Sequence, residues 1–243
     1  MTFPAIRKLG LIATGLIGSA TLAAGADAAV TITGVALDSP GGVNGTITYT
    51  PSNPDYVANA AIGRIRLTTS TGDTLLSYCI DIFHNLTTGT FTGGTVASAI
   101  TDAGKVTKLS ALLSNGEALV TDADHSAAQQ LAVWEIINEG SGVYNLGAGD
   151  FFASNISANA VSLANSYLAN VNNGVWAADP SLSLAVLTSP NNQTQLVFGA
   201  SAAKVLGSVP EPATWAMMLI GFGAIGGTMR ARRTPIRPVV RFG

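Results

Sequence analysis

The sequence contains a single cysteine, few charged residues and no excess of positive charge. Of its 243 residues 11% are charged, with 12 Lys and Arg against 14 Asp and Glu, and 47% are hydrophobic. A chain this apolar is not a disordered tail, and the lack of a global positive field argues against nucleic acid as a partner. Because Cys79 has no second cysteine, a disulfide scaffold is excluded. The lone thiol needs another explanation.

The N-terminal residues have the order of a secretory signal. Arg7 and Lys8 precede an uncharged run over residues 9–25, and small residues follow it up to Ala29. This order predicts a signal peptide over residues 1–28, cut after Ala28. A retained membrane anchor is the alternative, but the run is short and rich in glycine.

A second apolar segment lies near the C-terminus, from Trp215 to Met229. As a helix its 15 residues would be about 22 Å long, against roughly 30 Å of hydrocarbon in a bilayer. We predict a short transmembrane helix over 213–229. The arginines after it are expected to keep this end in the cytoplasm by the positive-inside rule; they include Arg230, Arg232 and Arg233.

The region between these two ends is acidic. From residue 29 to residue 208 there are five basic and twelve acidic side chains, a net charge of −7. The whole-chain charge of −2 hides this value because the other basic residues lie in the two ends. We therefore expect an acidic exported domain over 29–205, followed by a sorting region over 206–243.

Residues 209–233 read VPEPATWAMMLIGFGAIGGTMRARR. This segment resembles the PEP-CTERM sorting signal of Gram-negative bacteria, with its Pro-Glu-Pro tripeptide, apolar stretch and arginine cluster. The resemblance implies recognition by an exosortase-type membrane protease and processing near Pro210, Glu211 and Pro212. It further implies transient residence in the inner membrane and delivery to the cell surface or an exopolysaccharide matrix. It implies nothing about the activity of the exported domain.

Hydrophobic periodicity predicts an α+β fold, an antiparallel β body with a helical insertion. To this body we add a signal helix and the short transmembrane helix. Apolar alternation and turn residues predict strands at Val30–Leu37, Gly45–Thr50, Ala61–Thr69, Thr74–Phe83, Leu182–Leu187 and Gln193–Gly199. A longer apolar period predicts helices at Val96–Leu113, Asp124–Asn138 and Ala158–Val171.

Two residues in these elements point to chemistry. Alternation in the strand places Cys79 on its more polar face, with Ser77 and Asp81. In the helix, Gln130 falls in the centre of an apolar stripe, where an unpartnered amide would cost roughly 1 to 3 kcal/mol. Either its amide hydrogen-bonds to strand backbone, or a Cys79 thiolate attacks it, releases ammonia and leaves an internal thioester.

The motifs around both residues are similar to a known pair. Residues 78–81 read YCID and residues 130–134 read QLAVW. They resemble the YCID and QxA(I/V)W motifs of the thioester domains of bacterial surface adhesins. The resemblance implies a bond between Cys79 and Gln130 that couples covalently to an amine-bearing surface or matrix component, with Asp81, His84 and Trp134 shaping the site. In that family the glutamine usually follows Thr or Ser, whereas here it follows Gln129. If the motif is shifted by one residue, Gln129 is the acyl donor instead of Gln130.

Other functions have weaker support in the sequence. A cysteine hydrolase would use His84 or His125 as base and Asp81 or Asp124 to orient it, but no nucleophile motif surrounds Cys79. We expect Asp124 to cap its helix. No metal-ligand spacing occurs, so we predict no metal. We also predict no cofactor and no enzyme activity. The competing hypothesis is a non-reactive structural or carbohydrate-associated matrix protein with a free Cys79, in which Trp134 and Trp176 are core residues or carbohydrate platforms.

Overall fold

A computed structural model describes residues 28–140, 142–207 and 220–223. Residues 28–207 belong to one compact unit, and residues 220–223 belong to a second unit. The predicted signal peptide, the Pro210-Glu211-Pro212 tripeptide and Arg230, Arg232 and Arg233 lie outside the described residues. So does the predicted transmembrane helix, apart from residues 220–223, which are helical. No described helix is both long enough and apolar enough to cross a membrane.

Six antiparallel strands form a closed barrel in the first unit. In their order around the barrel, the strands are β1 (Ala28–Leu37), β4 (Ile65–Thr69), β5 (Thr74–Cys79), β9 (Asn192–Phe198), β8 (Leu184–Ser189) and β6 (Gly89–Thr95). Every pairing is antiparallel. Strands β1 and β5 pair with each of their neighbours over only part of their length.

The strands of a separate three-stranded sheet are, in order across it, β3 (Tyr56–Ile62), β2 (Val43–Tyr49) and β7 (Phe151–Ser154). The helices are α1 (Ala103–Gly116), α2 (Ala123–Asn138), α3 (Ala158–Asn172) and α4 (Gly199–Gly207), with short 3-10 turns at Val96–Ser98 and Glu117–Leu119. The predicted α+β class with antiparallel strands is therefore confirmed, and it includes a barrel that the sequence did not indicate.

Helix α2 is the central element of the core. Its side chains from residue 126 to residue 136 are all buried, and it packs on α1, α3, β5 and the small sheet. Asp122 caps the start of the helix, and its carboxylate accepts a hydrogen bond from the N–H of His125 at 2.9 Å. The expectation that Asp124 caps this helix is wrong; its carboxylate instead accepts a hydrogen bond from Asn159. The cap therefore lies two residues earlier than predicted, and Ala123 and Asp124 belong to the first turn of α2.

Two predicted strands are shorter than expected. The predicted strand 61–69 is divided between β3 and β4. At Gly63, between them, the chain passes so close to Gly41 and Gly42 that a Cβ would crowd their backbone. The predicted strand 74–83 ends at Cys79. Beyond it the Asp81 carboxylate accepts the N–H of Phe83 at 2.8 Å, which turns the chain. The predicted helix 96–113 begins only at Ala103, where Asp102 caps it.

Candidate functional site

The pairing of β5 with β9 places Cys79 directly opposite Gln195. Side chains that face each other across an antiparallel pair lie on the same side of the sheet. Since side chains alternate along a strand, Ser77 on β5 and Gln193 on β9 share that side. The four polar side chains meet there in an otherwise apolar wall. The predicted grouping of Ser77 with Cys79 follows the same alternation.

The Cys79 sulfur lies between two glutamine side chains of β9. Its Sγ donates to Oε1 of Gln193 at 2.5 Å, and it accepts from Nε2 of Gln195 at 3.2 Å. Because a C=O bond is about 1.2 Å long, the Gln193 carbonyl carbon lies within about 3.7 Å of Sγ. Ser77 fixes Gln195 by donating to its Oε1 at 2.9 Å. Gln193 is thus the carboxamide in contact with the sulfur through its oxygen.

The Gln130 carboxamide bonds to the backbone of Cys79 rather than to its sulfur. Its Oε1 accepts from the Cys79 N–H at 2.9 Å, and its Nε2 donates to the Cys79 carbonyl at 2.9 Å. Strand β4 pairs with β5 only as far as Ser77, so the amide continues the ladder where β4 ends. Of the two explanations for a buried Gln130, the structure thus has the hydrogen bond to strand backbone. These two hydrogen bonds fix the backbone from which the thiol projects.

The neighbouring Gln129 points towards α1. It is fully buried, and its Nε2 donates to the Leu112 carbonyl at 3.2 Å. Its Oε1 finds no hydrogen-bond partner among the described residues, and it lies where a Cβ on Gly116 would stand. Gln129 is therefore directed to the helix pair, and Gln130 to β5.

Burial controls the reactivity of a free Cys79. The side chain is 4% exposed, and burial raises the pKa of its thiol to about 12, with Asp81 adding to the rise and the Gln195 hydrogen bond opposing it. At neutral pH a free thiol here is therefore protonated and weakly nucleophilic. An acyl derivative of the same sulfur carries no charge, so burial would not penalise it and would shield it from water.

A groove of about 280 Å³ opens beside the sulfur. Its lining includes Cys79, Gln193, His84 and Trp134, together with apolar residues of β1 and β3. The structure thus brings together, around one groove, the predicted residues Cys79, His84 and Trp134. It also adds Gln193, which the sequence analysis did not consider.

Asp81 and His84 form a dyad at this groove. The turn after Cys79 brings them together, and the Asp81 carboxylate lies 2.7 Å from Nδ1 of the imidazole. The imidazole is half exposed, whereas the carboxylate is mostly buried. A carboxylate bonded to Nδ1 favours the tautomer whose Nε2 is free to accept a proton. His125 makes a separate pair with Asp122 at the start of α2, so only His84 lines the groove.

The two tryptophans differ in their surroundings. Trp134 is 2% exposed, lines the groove and packs against Phe151, with ring centroids 6.2 Å apart. Its indole N–H has no partner within the described part of the chain. Trp176 is partly buried against Tyr167, with ring centroids 5.1 Å apart. In the described residues no cluster of three His, Cys, Asp or Glu side chains is arranged to hold a metal ion.

Comparison with known families matches one segment of the sequence. Residues 208–233 match the PEP-CTERM protein-sorting motif. The chain carries an export and sorting signal. PEP-CTERM signals are recognised by exosortase, a membrane protease-like enzyme, so the expectation of export and exosortase-dependent sorting is confirmed. No curated protein and no solved structure is significantly similar to the chain. The PEP-CTERM match does not extend into the barrel.

Gln193 and Gln195 are the residues that sequence reasoning missed. Their signal was nevertheless present, since residues 193–199 were predicted as a strand and alternation places both glutamines on one face. What the sequence did not contain was the partner of that strand. Only the pairing of β9 with β5, across more than a hundred residues of chain, places this face against Cys79.

Proposed function

We propose that the exported domain forms an internal thioester between Cys79 and Gln193 and uses it to couple covalently to amines at the cell surface or in the matrix. The observation that carries this proposal is the contact of 2.5 Å between the Cys79 Sγ and the Gln193 Oε1. Gln193 replaces Gln130 as the acyl donor in this proposal, because both polar atoms of the Gln130 carboxamide are hydrogen-bonded to the Cys79 backbone.

The first step forms the bond. The sulfur attacks the carbonyl carbon of Gln193, the C–N bond of the carboxamide breaks, and the thiol proton leaves with the nitrogen as ammonia. The hydrogen bond from Gln195 Nε2 to Sγ, at 3.2 Å, stabilises negative charge on the attacking sulfur. Gln130 holds the Cys79 backbone in place during the attack, and such fixed geometry accounts for much of the rate of intramolecular reactions.

The second step transfers the acyl group. An amine that enters the groove attacks the thioester carbonyl, an amide bond forms, and the sulfur leaves to recover a proton as the thiol. Nε2 of His84, oriented by Asp81, is placed at the groove to take the proton that the amine loses. The reaction occurs once per molecule and consumes the thioester, so the protein acts as a reagent and not as an enzyme.

Intact mass tests the first step. The protein purified at neutral pH is expected to weigh one ammonia less than its sequence, and Cys79→Ala and Gln193→Glu should each restore the full mass. Full mass in the parent protein, with one titratable thiol, would instead support the non-reactive matrix protein.

Methylamine identifies the acyl donor. It should add to the parent protein and leave one glutamine as its methylamide, which peptide mapping locates. The tag is expected on Gln193. A tag on Gln130 or Gln129 would contradict our assignment while leaving the thioester in place.

A further inference from the structure

Two backbone edges beside the reactive groove have no strand partner among the described residues. Strand β3 pairs there only with β2, so its outer edge is free. The end of β1 provides the second edge, because β6 pairs with β1 only as far as Ile32, and residues 34–37 pair, within the same part of the chain, with β4 alone. Both segments line the groove that contains Cys79 and Gln193.

These edges lack charge and proline, and one irregularity, between Ile32 and Gly34, precedes the β1 segment. Natural edge strands are commonly protected by charged side chains, proline or bulges that turn the edge away. Strand β3 reads YVANAAI and residues 33–37 read TGVAL, without a charge or a proline. Each segment also exposes a large apolar side chain beside the polar Thr33 and Asn59: Val57 on β3 is 60% exposed and Val35 on β1 is 37% exposed. Such an edge is a template for an added strand.

We infer that the amine acceptor is a lysine on an extended segment of another protein, which adds as a strand along the groove. This inference rests on the proposed thioester. Extended peptides bind free sheet edges through main-chain hydrogen bonds, and the net charge of −7 over residues 29–208 favours a cationic partner. Docking in this way would hold a lysine amine beside the Gln193 carbonyl.

A second copy of the chain does not fit this role. The lysines of residues 28–207 all lie on helices, Lys105 and Lys108 on α1 and Lys204 on α4. Lys105 donates to two backbone carbonyls, and Lys204 is paired with Asp73. A lysine on a folded helix cannot be presented on an added strand. The acceptor is therefore expected to be a different polypeptide.

Three amines test the inference on the purified protein at equal concentration. The first is a capped five-residue peptide with a central lysine between valine and threonine residues. The second is the same peptide with alternate backbone nitrogens methylated, which removes donors to a sheet edge, and the third is methylamine. We expect the unmodified peptide to couple roughly tenfold faster than either control, because docking raises the effective concentration of its amine.

A variant places a charge on the free edge. Val57→Arg should slow coupling of the unmodified peptide towards the methylamine rate and leave the methylamine rate unchanged. Val175→Arg is the matched control, since Val175 is similarly exposed, at 69%, and lies on neither of the two free edges. It should alter neither rate.

The outcomes separate the inference from the function it rests on. If no ammonia is lost and methylamine does not add, the thioester itself is absent. If methylamine adds but the peptide is no faster, or its methylated form is equally fast, strand addition is overturned. A glucosamine oligomer that couples faster than the peptide would also overturn it, in favour of an amine-bearing polysaccharide.

Discussion

At the scale of single residues, the site depends on which atoms of each glutamine are already occupied. Gln130 makes two hydrogen bonds to the Cys79 backbone, Gln129 makes one to α1, and Gln193 directs its carboxamide to the sulfur. Three amides of the same chemistry thus have three different roles. Their positions along the chain do not reveal these roles, but their partners do.

Adjacent glutamines give a matched pair of substitutions. Gln130→Ala and Gln129→Ala remove the same buried volume, but Gln130→Ala leaves both the N–H and the carbonyl of Cys79 without the amide. We expect Gln130→Ala to lower the free energy of unfolding by about 1 to 2 kcal/mol more than Gln129→Ala. Urea denaturation of both variants measures the difference. Equal losses would show that the two hydrogen bonds contribute nothing net.

The thiol can be probed where no thioester forms. In Gln193→Leu, Cys79 is expected to stay protonated at neutral pH because burial raises the pKa of its thiol to about 12. Alkylation by iodoacetamide should be slow at pH 7 and rise about tenfold per pH unit as the thiolate fraction grows. The unfolded variant serves as the control, and its rate should level off near the ordinary pKa of cysteine, about 8.5.

At the scale of elements, β5, β9 and α2 together make the site. Each was predicted to within a few residues, because alternation and helical periodicity are local signals. The barrel was not predicted, since closure depends on which strands pair. Strand β6, with its three glycines, lacks the apolar alternation that marks a strand. The motif pair was enough to find Cys79, but the glutamine that contacts its sulfur could be found only from the pairing of two distant strands.

The end of α2 carries a buried acid that makes stability depend on pH. The pKa of Glu135 is raised from 4.5 to about 7, chiefly by burial and in part by the charges of Glu139 and Asp150, while the hydrogen bond from the Asn145 N–H opposes the rise. Between these two pH values the folded state binds more protons than the unfolded state. The free energy of unfolding should therefore fall as pH rises from about 4.5 to about 7.

Glu135→Gln tests this dependence. The amide can still accept the Asn145 N–H at the position of Oε1, but it has no charge to bury. We expect the variant to be more stable than the parent above pH 7, by up to about 2 kcal/mol, and the two to be equal near pH 4. Thermal or urea unfolding over this pH range provides the measurement. Parallel pH profiles for the two proteins would contradict the assignment.

At the scale of the whole molecule, the sorting signal and the barrel have separate tasks. The match to the PEP-CTERM motif covers residues 208–233 only, so it determines where the protein goes and not what the barrel does. The acidic side chains of the exported region lie between residues 38 and 179, outside the barrel strands, whereas most basic residues lie in the two ends. Substitutions in the sorting signal and substitutions in the barrel should therefore affect sorting and the proposed coupling reaction separately.

Loss of the tripeptide should stop sorting without affecting the barrel. Replacing Pro210, Glu211 and Pro212 by alanine is expected to leave unprocessed protein in the membrane fraction and to remove it from the cell surface. Fractionation and immunoblotting measure both effects, and the purified variant should still show the parent's mass deficit. Pro238→Ala, outside the matched residues, is the control and should sort normally.

The order of the last elements has a mechanical consequence. Gln193 lies at the start of β9, and α4 follows β9 directly, ending at Gly207, next to the sorting segment. If the target is bound through Gln193 while the chain is still anchored at its C-terminus, tension between cell and target runs only through β9 and α4. The preceding strands and helices lie outside this load path until β9 is peeled from β5 and β8. The attachment would thus bear force without first unfolding most of the barrel.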